Sequence, residues 1–225
     1  VKLEAAALVP AYNEAATIAE VVRGVLPFVS EVLVVDDGST DTTAREARAA
    51  GARVISHERN QGKGRAVRTG LADLLRRDLT HVVVLDGDLQ HVPQETRRLL
   101  DTALSTSAEI VIGERRFDRS TMPPSRYYAN RIGSRALSWF VGVPVEDTQC
   151  GFRVFRAEAL RGLRLSATGY EIETEMLVKL RRLGGRVASV PVTAVYNGHR
   201  SKLRPIRDTT RTCFLAVYYR FLERL

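Results

Sequence analysis

Carboxylates gather where apolar runs end. Glu14 follows Ala5-Ala6-Ala7-Leu8-Val9, Asp36 and Asp37 follow Val32-Leu33-Val34-Val35, and Asp86 and Asp88 follow His81-Val82-Val83-Val84-Leu85. Asp86-Gly87-Asp88 is the sharpest group. Acids two residues apart on a strand-ending turn suit a hard divalent cation, since Mg2+ takes one or two carboxylates plus phosphate oxygens. Gly87 lets backbone come close to a ligand. A solvated acidic turn is the plain alternative, and the buried run before it argues against that. Gly62-Lys63-Gly64 opens a helical pattern, and helix N-termini attract anions. Its spacing is not that of a P-loop, so an ordinary turn stays open.

The elements that must carry these groups alternate. Apolar runs at 5–9, 32–35, 53–55, 81–85 and 109–112 are rich in β-branched residues and read as buried parallel strands. Helical patterns lie between them near 14–26, 40–50, 63–77 and 93–105, with Ser39-Thr40-Asp41 as the expected N-cap of the second. Alternation of this kind predicts an α/β domain with a mostly parallel sheet, and ligands in such sheets sit at the carboxyl ends of strands. Beyond residue 113 the pattern changes. Residues 114–125 read as an exposed loop, 125–140 as a helix, 152–156 as a strand, 170–183 as a helix, 187–192 as a strand and 193–204 as a basic loop. The 206–225 segment reads as a C-terminal helix.

Composition bounds the rest. The chain has 225 residues, 44% hydrophobic and 27% charged, which fits one globular domain and excludes wholesale disorder. No apolar stretch reaches the ~18 residues of a transmembrane span. We read no signal peptide at the N-terminus. Two cysteines, Cys150 and Cys213, imply neither a disulfide framework nor a zinc site, and fit a reducing compartment. The four histidines lack metal-ligand spacing. Residues 1–110 carry 13 basic and 16 acidic groups, net −3, whereas residues 111–225 carry 21 and 10, net +11. A basic second half suits phosphorylated substrates, an anionic membrane or nucleic acid. Aromatics are only 7%, and the acidic strand ends would repel a nucleic-acid backbone, so no nucleic-acid partner is expected.

Pro10-Ala11-Tyr12-Asn13-Glu14, Asp36-Asp37-Gly38-Ser39-Thr40-Asp41, Gly62-Lys63-Gly64 and Asp86-Gly87-Asp88-Leu89-Gln90-His91 come in the order found in inverting family 2 glycosyltransferases. The resemblance covers residues 5–205, and Asp147-Thr148-Gln149-Cys150-Gly151-Phe152-Arg153 narrows it to the polyprenyl-phosphate sugar transferases. It implies a GT-A fold (Rossmann-like, mostly parallel sheet flanked by helices) over 1–205, with a C-terminal helical extension over 206–225. It implies a nucleotide-sugar donor (GDP- or UDP-hexose), Mg2+ or Mn2+, and a polyprenyl-phosphate lipid acceptor met at a membrane surface. The expected location is cytoplasmic, peripheral at the inner face of the cell membrane.

The resemblance also implies roles. Pro10, Tyr12 and Glu14 would line the nucleoside pocket, and Asp36 and Asp37 would meet base or ribose. Lys63, Gly87 and Lys202 join the donor site, and Asp86, Asp88 and Gln90 would hold the metal. Arg115, Arg131 and Ser134 would bind the acceptor phosphate, Arg115 would also reach the donor, and Asp147, Asp88 and Arg131 would be the catalytic residues. His91 stands before Val92 where the family usually has proline, and the Tyr196 and Gly198-His199-Arg200 region departs from the mannose-synthase pattern, so mannose is not singled out. A phosphate monoester is already ionised near neutral pH, so cations matter more than a base for such an acceptor. Asp147 is the candidate base if one is needed; otherwise it would orient Arg131 or Arg153. Glu171, Glu173 and Glu175 suit the positive end of a helix dipole, with Glu173 also a sugar-binding candidate. Cys150 reads as a small buried residue. The C-terminal aromatics read as core in preference to a membrane-interface face. The rivals are a glycosyltransferase with a soluble or polysaccharide acceptor and a non-catalytic nucleotide-binding module.

Overall fold

A computed structural model describes residues 3–115, 138–143, 145, 147–195, 218 and 221. The first half runs β1 (Ala5–Ala11), α1 (Ile18–Val25), β2 (Glu31–Asp36), α2 (Thr43–Ala49), β3 (Arg53–Ser56), α3 (Lys63–Leu74) and β4 (His81–Val84). Then come α4 (Thr96–Thr106), β5 (Ile110–Arg115), β6 (Arg153–Arg156), α5 (Ala157–Arg161), α6 (Ile172–Arg182) and β7 (Val187–Val192). The strands form one seven-stranded sheet in the order β3-β2-β1-β4-β6-β5-β7. β1 is buried along its whole length, as its unbroken apolar run requires of a central strand. In α1 the buried residues are Ile18, Val21, Val22 and Val25, the three-four spacing of one helical face.

Two features of the topology make the site. From β1 the chain winds outward through β2 to β3, then returns to place β4 on the other side of β1. The crevice at the carboxyl ends of β1 and β4 is therefore a topological switch point, where open α/β sheets bind ligands. The second feature is β6, which runs antiparallel to both β4 and β5, pairing Arg153 with Val84 and with Ile112. An antiparallel strand begins where its neighbours end. The turn before β6, Asp147 to Phe152, is thus delivered to the carboxyl ends of β4 and β5.

Several expectations change. β3 is a half-buried edge strand, because it pairs with β2 alone. β5 extends through Glu114 and Arg115 by pairing with β7, so those two residues are strand and not the start of a loop. α2 starts at Thr43, after the Ser39-Thr40-Asp41 cap foreseen for it. Asp41 accepts hydrogen bonds from the Thr43 backbone N–H (3.0 Å) and from Ala15 N–H (3.2 Å), tying the helix start to the turn after β1. The short α5 had no recognised signal. Of the C-terminal aromatics, Tyr218 is 39% and Phe221 66% exposed, against the core placement expected for them. The other residues of 206–225 lie outside the described residues, as do most of 114–125, 125–140 and 193–204.

Candidate active site

Three turns are buttoned together at the switch point. The Glu14 carbonyl accepts from Thr17 N–H (3.0 Å) and Ile18 N–H (2.9 Å), starting α1. Asn13 adopts φ 53°, a left-handed conformation that asparagine tolerates. Its N–H donates to Ser39 Oγ (2.9 Å) and its Oδ1 accepts from Thr40 N–H (2.8 Å), joining the turn after β1 to the turn after β2. Thr17 Oγ1 donates to the Gly87 carbonyl (2.6 Å), joining the first turn to the Asp86-Gly87-Asp88 turn.

Asp37 performs a task that local sequence did not reveal. Its carboxylate accepts from the N–H groups of Gln61 (3.0 Å) and Gly62 (2.7 Å), and His57 Nδ1 lies 2.6 Å from it. His57 Nε2 sits 3.0 Å from Thr69 Oγ1 on α3. Asp37 thereby fixes the segment that feeds α3. Gly62, at φ 98°, caps that helix, and a Cβ there would fall 2.4 Å from the Thr168 carbonyl oxygen. Only glycine fits both demands. Asp36 accepts from Ser39 N–H at 3.1 Å.

The acids after β4 meet a partly buried cation. Lys63 Nζ stands 2.6 Å from Asp86 Oδ1 and 2.6 Å from Glu173 Oε1, and 5.6 Å from the centre of the Tyr170 ring. Burial alone would lower the lysine pKa, but the two carboxylates outweigh it and raise it. Burial likewise pushes Asp86 upward, and Lys63 more than reverses this, holding Asp86 below the usual carboxylate range. Among the described residues Asp88 has no such cation in hydrogen-bond contact. Burial, then the charge of Asp86, pushes it up to about 6. One Asp88 oxygen accepts from Gln90 N–H (3.0 Å), across Leu89 at φ 57°.

The turn before β6 supplies the opposite wall. Asp147 is wholly buried and takes Arg115 in a two-pronged pair, Nε to Oδ2 at 2.5 Å and a terminal nitrogen to Oδ1 at 3.1 Å. Arg153, also wholly buried, instead donates to the carbonyls of Cys150 (2.7 Å), Glu173 (2.7 Å) and Thr148 (2.6 Å). Asp147 therefore orients Arg115, not Arg153 as the sequence allowed. Arg153 clamps the Thr148–Cys150 turn to the start of α6. Cys150 is buried as expected; burial pushes its thiol up to about 12. His91 Nε2 lies 3.6 Å from Cys150 Sγ, and burial lowers the imidazole to about 4.

Glu171, which caps α6, and Glu173 and Glu175 within it have three tasks. Glu175 accepts from the N–H groups of Ser166 and Ala167 (both 2.8 Å) and from Lys179 Nζ (2.7 Å). Glu171 accepts from Gly169 N–H (3.1 Å). Glu173 alone faces the acids after β4. Steps of two residues on a helix turn side chains through about 200°, so sequence alternation could not assign these directions. Arg131, Ser134 and Lys202 lie outside the described residues.

A Rossmann-like 3-2-1-4 start, a reversed strand, and acids converging at the switch point define a GT-A glycosyltransferase. The sequence model of glycosyl transferase family 2 matches residues 6–164, and the chain belongs to that family. It is 36% identical over 218 residues to glycosyltransferase AglJ of Haloferax volcanii, covering 95% of this chain and 70% of the relative. It is 33% identical over 202 residues to undecaprenyl-phosphate mannosyltransferase of Micrococcus luteus, covering 84% and 82%. The crystal structure of glucosyl-3-phosphoglycerate synthase from Mycobacterium tuberculosis, in complex with Mn2+, UDP and glucosyl-3-phosphoglycerate, matches with a TM-score of 0.73 at 27% identity. That match covers 97% of this chain and 80% of the other. The protein is a hexosyltransferase enzyme resembling polyprenyl-phosphate sugar synthases.

Proposed function

We propose that the enzyme moves one hexose, mannose or glucose, from a GDP- or UDP-sugar to the phosphate of a polyprenyl phosphate, with inversion. The observation that carries this reading is the Arg115–Asp147 pair. A buried carboxylate with both oxygens on a guanidinium is poorly placed to take a proton from an alcohol. The same pair aims a fixed cation, and guanidinium binds phosphate through a planar fork. An acceptor that arrives already ionised suits this arrangement. The names of relatives in bacteria and archaea point the same way.

The donor would lie across the turns after β1, β2 and β4. Pro10, Tyr12, Glu14, Asp36 and Asp37 would form the nucleoside side, and Lys63, Gly87 and Glu173 the sugar side, with Lys202 above. Arg115, Arg131 and Ser134 would hold the acceptor phosphate. Its oxygen attacks the anomeric carbon as the bond to the nucleoside diphosphate breaks. A divalent metal fits the residues present. Asp88, pushed up to about 6 by burial and by Asp86, marks a pocket with surplus negative charge. Asp86 and Gln90 add oxygen donors. Among the described residues no group of three or more histidine, cysteine, aspartate or glutamate side chains could hold a metal. Mg2+ or Mn2+ would share its remaining positions with phosphate oxygens and water. The metal would stabilise charge on the departing diphosphate. We place the enzyme peripherally at the inner face of the cell membrane. Among the described residues no helix is long and apolar enough to cross one.

A second reading has its own support, since the solved structure above carries a soluble phosphorylated acceptor in its product. One experiment separates them. The protein, Mn2+ and a panel of GDP- and UDP-hexoses would be incubated with a short polyprenyl phosphate or with phosphoglycerate, and products read by mass spectrometry. Glycolipid supports the proposal. Product with phosphoglycerate alone replaces it with the soluble acceptor.

A further inference from the structure

The glycines on either side of Lys63 let a second stretch of backbone press against the start of α3. A Cβ on Gly62 would fall 2.4 Å from the Thr168 carbonyl oxygen. One on Gly64 would fall 2.7 Å from the Ala167 oxygen and 2.8 Å from the Gly169 oxygen. Arg65 N–H donates to the Thr168 carbonyl at 3.3 Å, and Arg68 donates to the Ser166 carbonyl at 3.1 Å. The 166–169 segment is therefore the shelf on which the backbone of Lys63 rests. Any shift of the shelf moves Lys63 Nζ relative to Asp86 and Glu173.

The shelf is held from below by a buried ion pair. Glu175 and Lys179 are one turn apart on α6, and both are buried. Glu175 Oε1 accepts from Ser166 N–H (2.8 Å), Ser166 Oγ (2.9 Å) and Lys179 Nζ (2.7 Å), and its Oε2 accepts from Ala167 N–H (2.8 Å). Lys179 Nζ also donates to the Arg164 carbonyl at 2.5 Å. A carboxylate is costly to bury, and an ordinary helix-dipole or i,i+4 role would leave it at the surface. Here its oxygens are spent on two successive backbone N–H groups of the shelf. The same helix carries Glu173, whose Oε1 meets Lys63 Nζ at 2.6 Å. One helix thus sets both ends of the lysine, its tip through Glu173 and its backbone through Glu175. We propose that Glu175, with Lys179, is a positioning residue that fixes Lys63 for donor binding. The inference rests on the placing of Lys63 in the donor site and is independent of which acceptor is used.

A double-mutant cycle on donor affinity tests this. Binding of UDP-glucose and of GDP-mannose in the presence of Mn2+ would be measured by calorimetry, below the unfolding transition of each protein, for wild type, Glu175→Gln, Lys63→Met and the double variant. Glu175→Gln keeps the shape and removes an acceptor from the shelf. It should weaken the donor that wild type binds more tightly by about fivefold, yet by less than about twofold once Lys63 is gone, because residues acting through one another are not additive. Gly64→Ala leaves Glu175 and Lys179 intact and pushes on the same shelf from α3. It should weaken the donor likewise, and it carries the test alone if Glu175→Gln does not fold. Lower thermal stability with wild-type donor affinity in Glu175→Gln, or in Gly64→Ala, would make the pair structural only and overturn the proposal. So would additive losses in the cycle. Lys63→Met with wild-type affinity would instead remove Lys63 from the donor site, and the proposal with it.

Discussion

Gly151 lies flat against Asp86. A Cβ placed on Gly151 would fall 2.5 Å from Asp86 Oδ2 and 3.2 Å from Lys63 Nζ. The reversed direction of β6 creates this contact, because it starts the 147–152 turn where β4 ends. Asp86 is short and held by Lys63, so it has little room to yield. Gly151→Ala should displace the carboxylate and lower turnover by about tenfold or more, at a stability cost of about 1 kcal/mol. Steady-state kinetics and thermal unfolding would test this. Wild-type turnover in the variant would show that the Asp86 position is not needed.

Lys63 should matter to stability as much as to catalysis. Removing it leaves Asp86 and Glu173 facing each other with no cation between them. Breaking one partner of a fully buried ion pair costs about 3 kcal/mol or more, and the partial exposure of Lys63 and Asp86 cuts this to about 2 kcal/mol. Lys63→Met is expected to lose that much in urea unfolding. Adding Glu173→Gln should return a measurable part, because one uncompensated charge is gone. Additive losses in the double variant would mean that the two side chains do not interact in solution.

The central strands were legible because β-branched runs between turn residues specify buried strands, and β1, β2 and β4 follow those runs closely. The acids at their ends were legible for the same reason. Strand direction was not. Nothing within Arg153-Val154-Phe155-Arg156 says that it pairs antiparallel, since direction is set by which neighbour the chain returns to. Partner choice was equally hidden. Asp147 had several arginines within plausible reach, and only the extension of β5 to Arg115 selects one. The spacing of Tyr218 and Phe221 suits a core face, but exposure is a tertiary property that spacing does not carry.

Asp147 as a positioning residue predicts a specific kinetic pattern. Asp147→Asn keeps one acceptor for Arg115 and removes the charge. The acceptor KM should rise about tenfold, the value of one charge-assisted hydrogen bond, with a smaller change in kcat. The acid limb of the kcat/KM profile should keep its shape. Loss of a general base would instead lower kcat by about a hundredfold or more and remove that limb. Profiles for both enzymes over a common pH range would decide between the two roles.

His81 gives a pH dependence of stability with a definite sign. It is buried at the start of β4, and burial, then the nearby Arg156, lowers its pKa below the ordinary value of about 6.5. Between the folded and unfolded values the unfolded chain binds more protons, so stability rises with pH through that window. The contribution is complete above about 6.5 and is lost as pH falls through the lowered folded value. His81→Gln carries no titrating group there. The difference in urea midpoint between wild type and His81→Gln should therefore shift in favour of the variant as the pH is lowered from about 8 to about 5. A difference that stays constant over that range would show that His81 titrates alike in the folded and unfolded chains, and that its burial is relieved in solution.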